Sequence, residues 1–196
     1  MDANALLHGV PAGGDHTCGL QPDGAIVCWG WHDPVEVAAP TGFFLMISAG
    51  DSHSCAIKAD GSAVCWGDNF YGQCNAPTGA FSAVSAGGQH TCGLRVDGAV
   101  VCWGGNSLGE STPPAGTFSA VSAQWEHTCG LRTNGTIECW GNNSVGEALP
   151  PPGVFKVVSA GYRHGCALRT DDIVVCWGSN TDIARNEVGQ ATPPTD

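Results

Sequence analysis

The sequence predicts an all-β chain in which one 37-residue unit is used five times. Two observations carry this. The stretch HTCGLRVDGAVVCWG at 90–104 returns, with small changes, at 16–30, 53–67, 127–141 and 164–178, each copy 37 residues after the last. Between these stretches the apolar residues fall in short runs bounded by Gly, Pro, Asn and Asp, and no segment shows a helical period. A fixed period of this size means that one supersecondary unit is stacked in series. The chain reads as a single repeat domain over 1–196, with repeats at approximately 5–41, 42–78, 79–115, 116–152 and 153–196.

Each repeat opens on an extended segment such as FSAVSAG (81–87) or FKVVSAG (155–161), whose Val, Ala and Phe content suits a strand. Residues 6–13, LLHGVPAG, are a degenerate copy, which starts the first repeat almost at the N-terminus. Two short strands follow around a tip such as Val96-Asp97-Gly98. A three-residue hairpin loop of this kind takes a type I turn followed by glycine in the left-handed region. That loop sets Arg95 opposite Ala99 and Cys92 opposite Cys102, on an open pair whose Cα atoms lie about 4.5 Å apart, within reach of a disulfide.

The spacing predicts the same staple in every hairpin: Cys18–Cys28, Cys55–Cys65, Cys92–Cys102, Cys129–Cys139 and Cys166–Cys176. Each closes a loop of roughly eleven residues, worth about 2–3 kcal/mol in the chain-entropy model. Staples of that size matter where each repeat has little core of its own. In the fifth repeat Asp172 takes the glycine position, where a side chain costs strain. Cys74 is left over, either a buried free thiol or a bond to another chain.

After each tryptophan comes a turn-rich loop, WG-x-N-x-x-G-[QE], at 66–73, 103–110 and 140–147, followed by proline-rich connectors. The first repeat replaces it with GWHDPVE and the fifth inserts six residues, GSNTDIARNEVGQ.

Composition narrows the function classes. Seven Lys and Arg against eighteen Asp and Glu give a formal charge of −11, which argues against nucleic acid and anionic membrane. No apolar run approaches the length of a membrane span, and no basic-then-apolar leader opens the chain, so either a signal peptide has been removed or the sequence starts after one. The eleven cysteines indicate an oxidising compartment, and C-x9-C is too wide and too regular for zinc knuckles. The expected location is secreted or extracellular.

The order SAG-x-x-H-T-C-G-L-x-x-D-G-x-V-x-C-W-G-x-N-x-x-G-Q resembles the regulator of chromosome condensation repeat, in a short, cysteine-bearing bacterial form. Its lean repeats are similar to those of a secreted member, the type II β-lactamase inhibitory protein. The resemblance implies a β-propeller with about one four-stranded blade per repeat. Family propellers usually have seven blades, and this chain has five repeats. Five repeats allow a closed five-bladed ring, an open arc, or an arc completed by other copies. The cysteine pairs lie outside the general family pattern. No segment resembles the wedge with which the chromatin-bound member acts on its GTPase.

The framework positions are read structurally. The resemblance implies a hydrogen-bonding role for His16, His53, His90, His127 and His164 rather than a metal ring, and the framework tryptophans read as blade packing. GDSH at 50–53 is the corner of repeat two, not a serine nucleophile. The acidic insert Asp182–Glu187 lacks the alternating ligands of a calcium loop. No metal, cofactor or catalytic constellation is expected. The sequons at Asn134 and Asn142 matter only in a glycosylating host, and Asn134, in a hairpin tip, should be exposed.

Subtracting the framework leaves two variable clusters. The pair before each histidine includes Trp125-Glu126 and Tyr162-Arg163, and the loop after each tryptophan includes Trp31-His32 and Phe70-Tyr71. Large aromatics in loops where sibling repeats carry Gly or Ser are the binding candidates, because loops on a rigid scaffold carry recognition. The leading expectation is a non-enzymatic secreted propeller that binds a protein or glycan through these residues. The alternative is an extracellular structural subunit that self-assembles by continuing its repeats from copy to copy, with Cys74 as a link between copies.

Overall fold

The computed structural model describes residues 9–30, 38–181 and 189–193. Among the described residues it contains fourteen strands and no helix. The first sheet pairs β1 (His16–Leu20) with β2 (Ile26–Gly30), and Gly9 and Ala12 bridge onto β1. The second holds β3 (Phe44–Ala49), β4 (His53–Lys58) and β5 (Ala63–Gly67). The third holds β6 (Phe81–Ala86), β7 (His90–Arg95) and β8 (Val100–Gly104). The fourth is β9 (Phe118–Gln124), β10 (His127–Arg132) and β11 (Ile137–Gly141), and the fifth is β12 (Phe155–Ala160), β13 (His164–Arg169) and β14 (Val174–Gly178). Every sheet is an antiparallel meander, so each repeat makes one blade.

The resemblance implies four strands per blade; among the described residues the second to fifth blades have three, and the first has two with isolated bridges in place of a third. The remaining segment of each repeat is the loop and its connector, such as Asn75-Ala76-Pro77-Thr78-Gly79, in which proline offers no N–H for a ladder.

Hairpin geometry follows the predicted turn. Arg95 N–H donates to the Ala99 carbonyl at 2.8 Å, Gly98 N–H to the Arg95 carbonyl at 3.0 Å, and Gly98 has φ 86°. Asp172 adopts the same left-handed conformation at φ 67°. Cys92 faces Cys102 in the β7–β8 register, and all five disulfides form across open pairs with Cα separations of 4.0–4.1 Å.

The core lies between blades. One face of a blade presents its first cysteine and a Leu or Ile, as in Cys92 and Leu94; the next blade covers them with its Phe and Trp, here Phe118 and Trp140. The same set recurs as Cys55 and Ile57 under Phe81 and Trp103, and as Cys129 and Leu131 under Phe155 and Trp177. The indole N–H of each of these tryptophans donates to a carbonyl of the preceding blade: Trp103 to Gln73, Trp140 to Glu110 and Trp177 to Glu147, at 2.8–2.9 Å. Serine hydroxyls on the first strands tie blades together as well, Ser48, Ser85 and Ser122 accepting from the N–H of Ala86, Ala123 and Ala160. Blades therefore follow one another in an arc, and the first and fifth sheets do not close it.

Candidate functional site

The two variable clusters meet because of strand register. The residue before each histidine and the residue after each Trp-Gly lie at one end of the hairpin, where His127 pairs with Gly141 and His90 with Gly104. Backbone bonds lock them together: Asp68 N–H donates to Ser52, Gly105 to Gln89, Asn142 to Glu126 and Ser179 to Arg163, at 2.7–2.9 Å. Both clusters therefore share one rim of the arc, and the hairpin tips occupy the opposite rim. Asn134, in such a tip, is exposed as its turn position predicts.

Histidines beneath this rim are framework. Nε2 of His16, His53 and His90 lies 2.7–2.8 Å from the hydroxyl of Ser54, Thr91 and Thr128 on the next blade. Thr91 spends its own proton on the Gln73 carbonyl at 3.0 Å, so the network assigns the proton of the His53–Thr91 bond to His53 Nε2. In the fifth repeat Gly165 replaces the hydroxyl residue, and His127 Nε2 has no partner. Burial is the main cause that pushes His53, His90 and His127 down to about 4, so all three are neutral at physiological pH. Farther along the rim, burial and then the charge of Asp15 raise the Asp51 carboxyl.

One rim position, three before the histidine, departs from the pattern in the fourth blade alone. Elsewhere the residue three before the histidine is glycine: Gly13, Gly50, Gly87 and Gly161. A Cβ at Gly50 would sit 2.3 Å from the Gly87 carbonyl oxygen, and at Gly87 or Gly161 within 2.4 Å of that repeat's own imidazole. Blade four carries Gln124 at this place. Strand β9 runs on through Gln124, which pairs with His127, and leaves a two-residue turn of Trp125 and Glu126. Trp125 is thereby placed at φ 45°, and its carbonyl accepts from Gly88 N–H where Gly50 and Gly87 serve in earlier blades. A bulky residue in this region costs about 1–2 kcal/mol.

The strained turn puts the Trp125 ring on that of Tyr162, centroids 4.6 Å apart and planes tilted by 36°. Around the pair, Asn142 donates to the Glu126 carboxylate at 2.8 Å and Arg163 donates to the Ser144 hydroxyl at 3.3 Å. Four candidates, Trp125, Glu126, Tyr162 and Arg163, thus form one cluster. Phe70 and Tyr71 form a separate edge-on pair, centroids 5.0 Å apart, on the rim of the second blade. Trp31 and His32, like the insert 182–187, lie outside the described residues. The sequence signal for the remodelled turn was Gln124, a framework glycine lost in one repeat.

Cys74 takes a serine's role. Its thiol donates to the Asp68 carbonyl at 3.2 Å, as the Ser111 hydroxyl donates to the Gly105 carbonyl at 2.6 Å one repeat later. Burial and then the Asp68 charge push the thiol up to about 11, which suppresses the thiolate that disulfide exchange requires.

The family model of the regulator of chromosome condensation (RCC1) repeat matches four times, at residues 47–73, 81–110, 118–147 and 155–182, more than half of the chain. Among solved structures, the chain is similar to the ectodomain of the receptor kinase CR4 from Physcomitrella patens, with 28% identity and a TM-score of 0.77 over 92% of this chain. It spans 54% of that ectodomain, about half its length. It is also similar to the CRINKLY WD40 ectodomain of the receptor kinase ACR4 from Arabidopsis thaliana, with 30% identity and a TM-score of 0.74 over 91% of this chain and 67% of that one. Prp20p from Saccharomyces cerevisiae, described with its binding to Gsp1p and histones, shares the fold at 16% identity and a TM-score of 0.77, over 91% of this chain and 59% of its own. Among curated proteins no relative matches the chain.

Proposed function

Because the chain belongs to the regulator of chromosome condensation (RCC1) repeat family, we propose that it is a non-enzymatic, extracellular module that binds another protein through the rim of its fourth and fifth blades. The observation that carries this reading is Trp125, held at φ 45° and stacked on Tyr162. A strained backbone persists where the surroundings over-determine it, and such positions concentrate at binding and switch sites. Trp and Tyr supply large rigid contact area at low entropic cost, and Arg163 and Glu126 provide the polar border that such anchors use. The five disulfides and the two receptor ectodomains support an oxidising, extracellular setting. Repeats of this family support protein binding in general, and the aromatic pair is where this chain departs from its own consensus.

The test is site-directed photocrosslinking on the intact chain. A benzophenone side chain at Arg163, presented to secreted and cell-surface proteins of the host, should give a discrete adduct. The same group at Val96, on the opposite rim, should not. Equal labelling from both positions, or none from Arg163, overturns the rim assignment. Binding to a glycan array that is lost on Tyr162→Ala replaces protein by glycan.

A further inference from the structure

The four blade–blade contacts inside the chain are copies of one interface, and among the described residues its two halves lie unpaired at the ends of the arc. The fifth blade shows the half that accepts: Ser159, His164, Cys166, Leu168 and Val174 occupy the places of Ser122, His127, Cys129, Leu131 and Ile137. Cys129 and Leu131 are buried under the following blade, and Val174 is 49% exposed. The first blade shows the half that inserts. Val10, Thr17, Val27 and Trp29 correspond to Val84, Thr91, Val101 and Trp103. Trp29 is 47% exposed where Trp103 is 9%.

We propose that these two faces dock onto each other between copies of this chain, the first blade of one copy covering the fifth blade of the next. The occupant is a second copy because each end carries what the other lacks, polar groups included. Thr17 supplies the hydroxyl that His164 lacks, as Thr128 does for His90 at 2.7 Å. Ser159 offers the hydroxyl that accepts from Ala12 N–H, as Ser48 accepts from Ala86 at 3.0 Å. The Trp29 indole faces the next chain's Gly189-Gln190 turn, the counterpart of Gly146-Glu147, whose Glu147 carbonyl holds Trp177. The named residues on the two faces carry no carboxylate, whereas the chain as a whole has a formal charge of −11. Copies therefore repel at long range and associate better as salt screens them.

The contact is heterologous, so it propagates rather than stopping at a dimer. These faces are distinct from the aromatic rim, and the inference does not rest on what the rim binds.

Sedimentation velocity of the intact chain tests it. The wild type should form a concentration-dependent series above monomer that grows with added salt. Trp29→Asp and Val174→Asp should each remain monomeric, with unfolding midpoints unchanged because both sites are exposed. Mixed together they should form a one-to-one dimer and nothing larger, since one variant keeps an intact accepting face and the other an intact inserting face. A variant that loses stability is replaced by Val157→Asp or Val27→Asp on the same faces. Wild type that stays monomeric to millimolar concentration, single variants that associate like wild type, or a mixture that stays monomeric overturns the proposal.

Discussion

Nε2 of His90 lies 2.7 Å from the hydroxyl of Thr128, across the boundary between the third and fourth blades. Both side chains are buried, so the bond replaces water for two polar groups that folding removes from solvent. The relation repeats at His16–Ser54 and His53–Thr91 and stops at His127, whose counterpart is Gly165.

Thr128→Val keeps the volume and deletes the hydroxyl, leaving His90 Nε2 without a partner, as His127 Nε2 is. The expected cost is about 1–3 kcal/mol, read as a lower midpoint of thermal unfolding. Thr17→Val is the control, because Thr17 occupies the same repeat position and, among the described residues, no preceding blade presents a histidine to it. That variant should leave the midpoint of the monomer unchanged. Equal losses in both variants would mean that the hydroxyl matters within its own blade rather than between blades.

The His-Thr dipeptide illustrates what could be read from the chain. Its period was plain, but its two members serve different blades: the histidine reaches forward and the hydroxyl answers the histidine behind it, 38 residues away. Spacing within a hairpin specified the disulfides and the turn, because a tip of known length sets the register and alternation does the rest. Spacing between blades specified nothing so direct. The candidates Trp125 and Tyr162 were visible as departures from consensus, yet their contact depends on Gln124 expelling the chain from a space only glycine fits. The number of strands per blade was likewise set by the connectors, whose prolines cannot extend a ladder.

Stability should fall on acidification before the carboxylates titrate. In the folded state His53, His90 and His127 are pushed down to about 4 by burial, and in the unfolded chain they titrate near 6.5. Between these values the unfolded chain binds more protons, so unfolding becomes progressively easier as pH drops from about 6.5 toward 4. The contribution is fully present above the unfolded value. Each histidine accounts for at most about 3 kcal/mol. Unfolding midpoints measured across this window should decline steeply for wild type and less steeply for His90→Gln. A flat profile would show that these imidazoles titrate alike in the folded and unfolded chain.

The turn at Trp125 separates a backbone cost from a side-chain gain. Trp125→Ala and Trp125→Gly both delete the ring and its stack on Tyr162, worth about 0.5–1.5 kcal/mol beyond area burial. Only alanine keeps a Cβ at φ 45°. Glycine adopts that region without the steric penalty, although it costs some entropy in the unfolded chain. Trp125→Gly should therefore be the more stable of the two by about 1 kcal/mol, measured by denaturant unfolding, and both should lose the Arg163 photoadduct equally. If alanine proves as stable as glycine, the turn relaxes when the ring is gone, and the strain belongs to the stack with Tyr162 rather than to the path that Gln124 imposes. If glycine is more stable and the adduct survives, the strain is real but the partner reads the rim without the aromatic anchor.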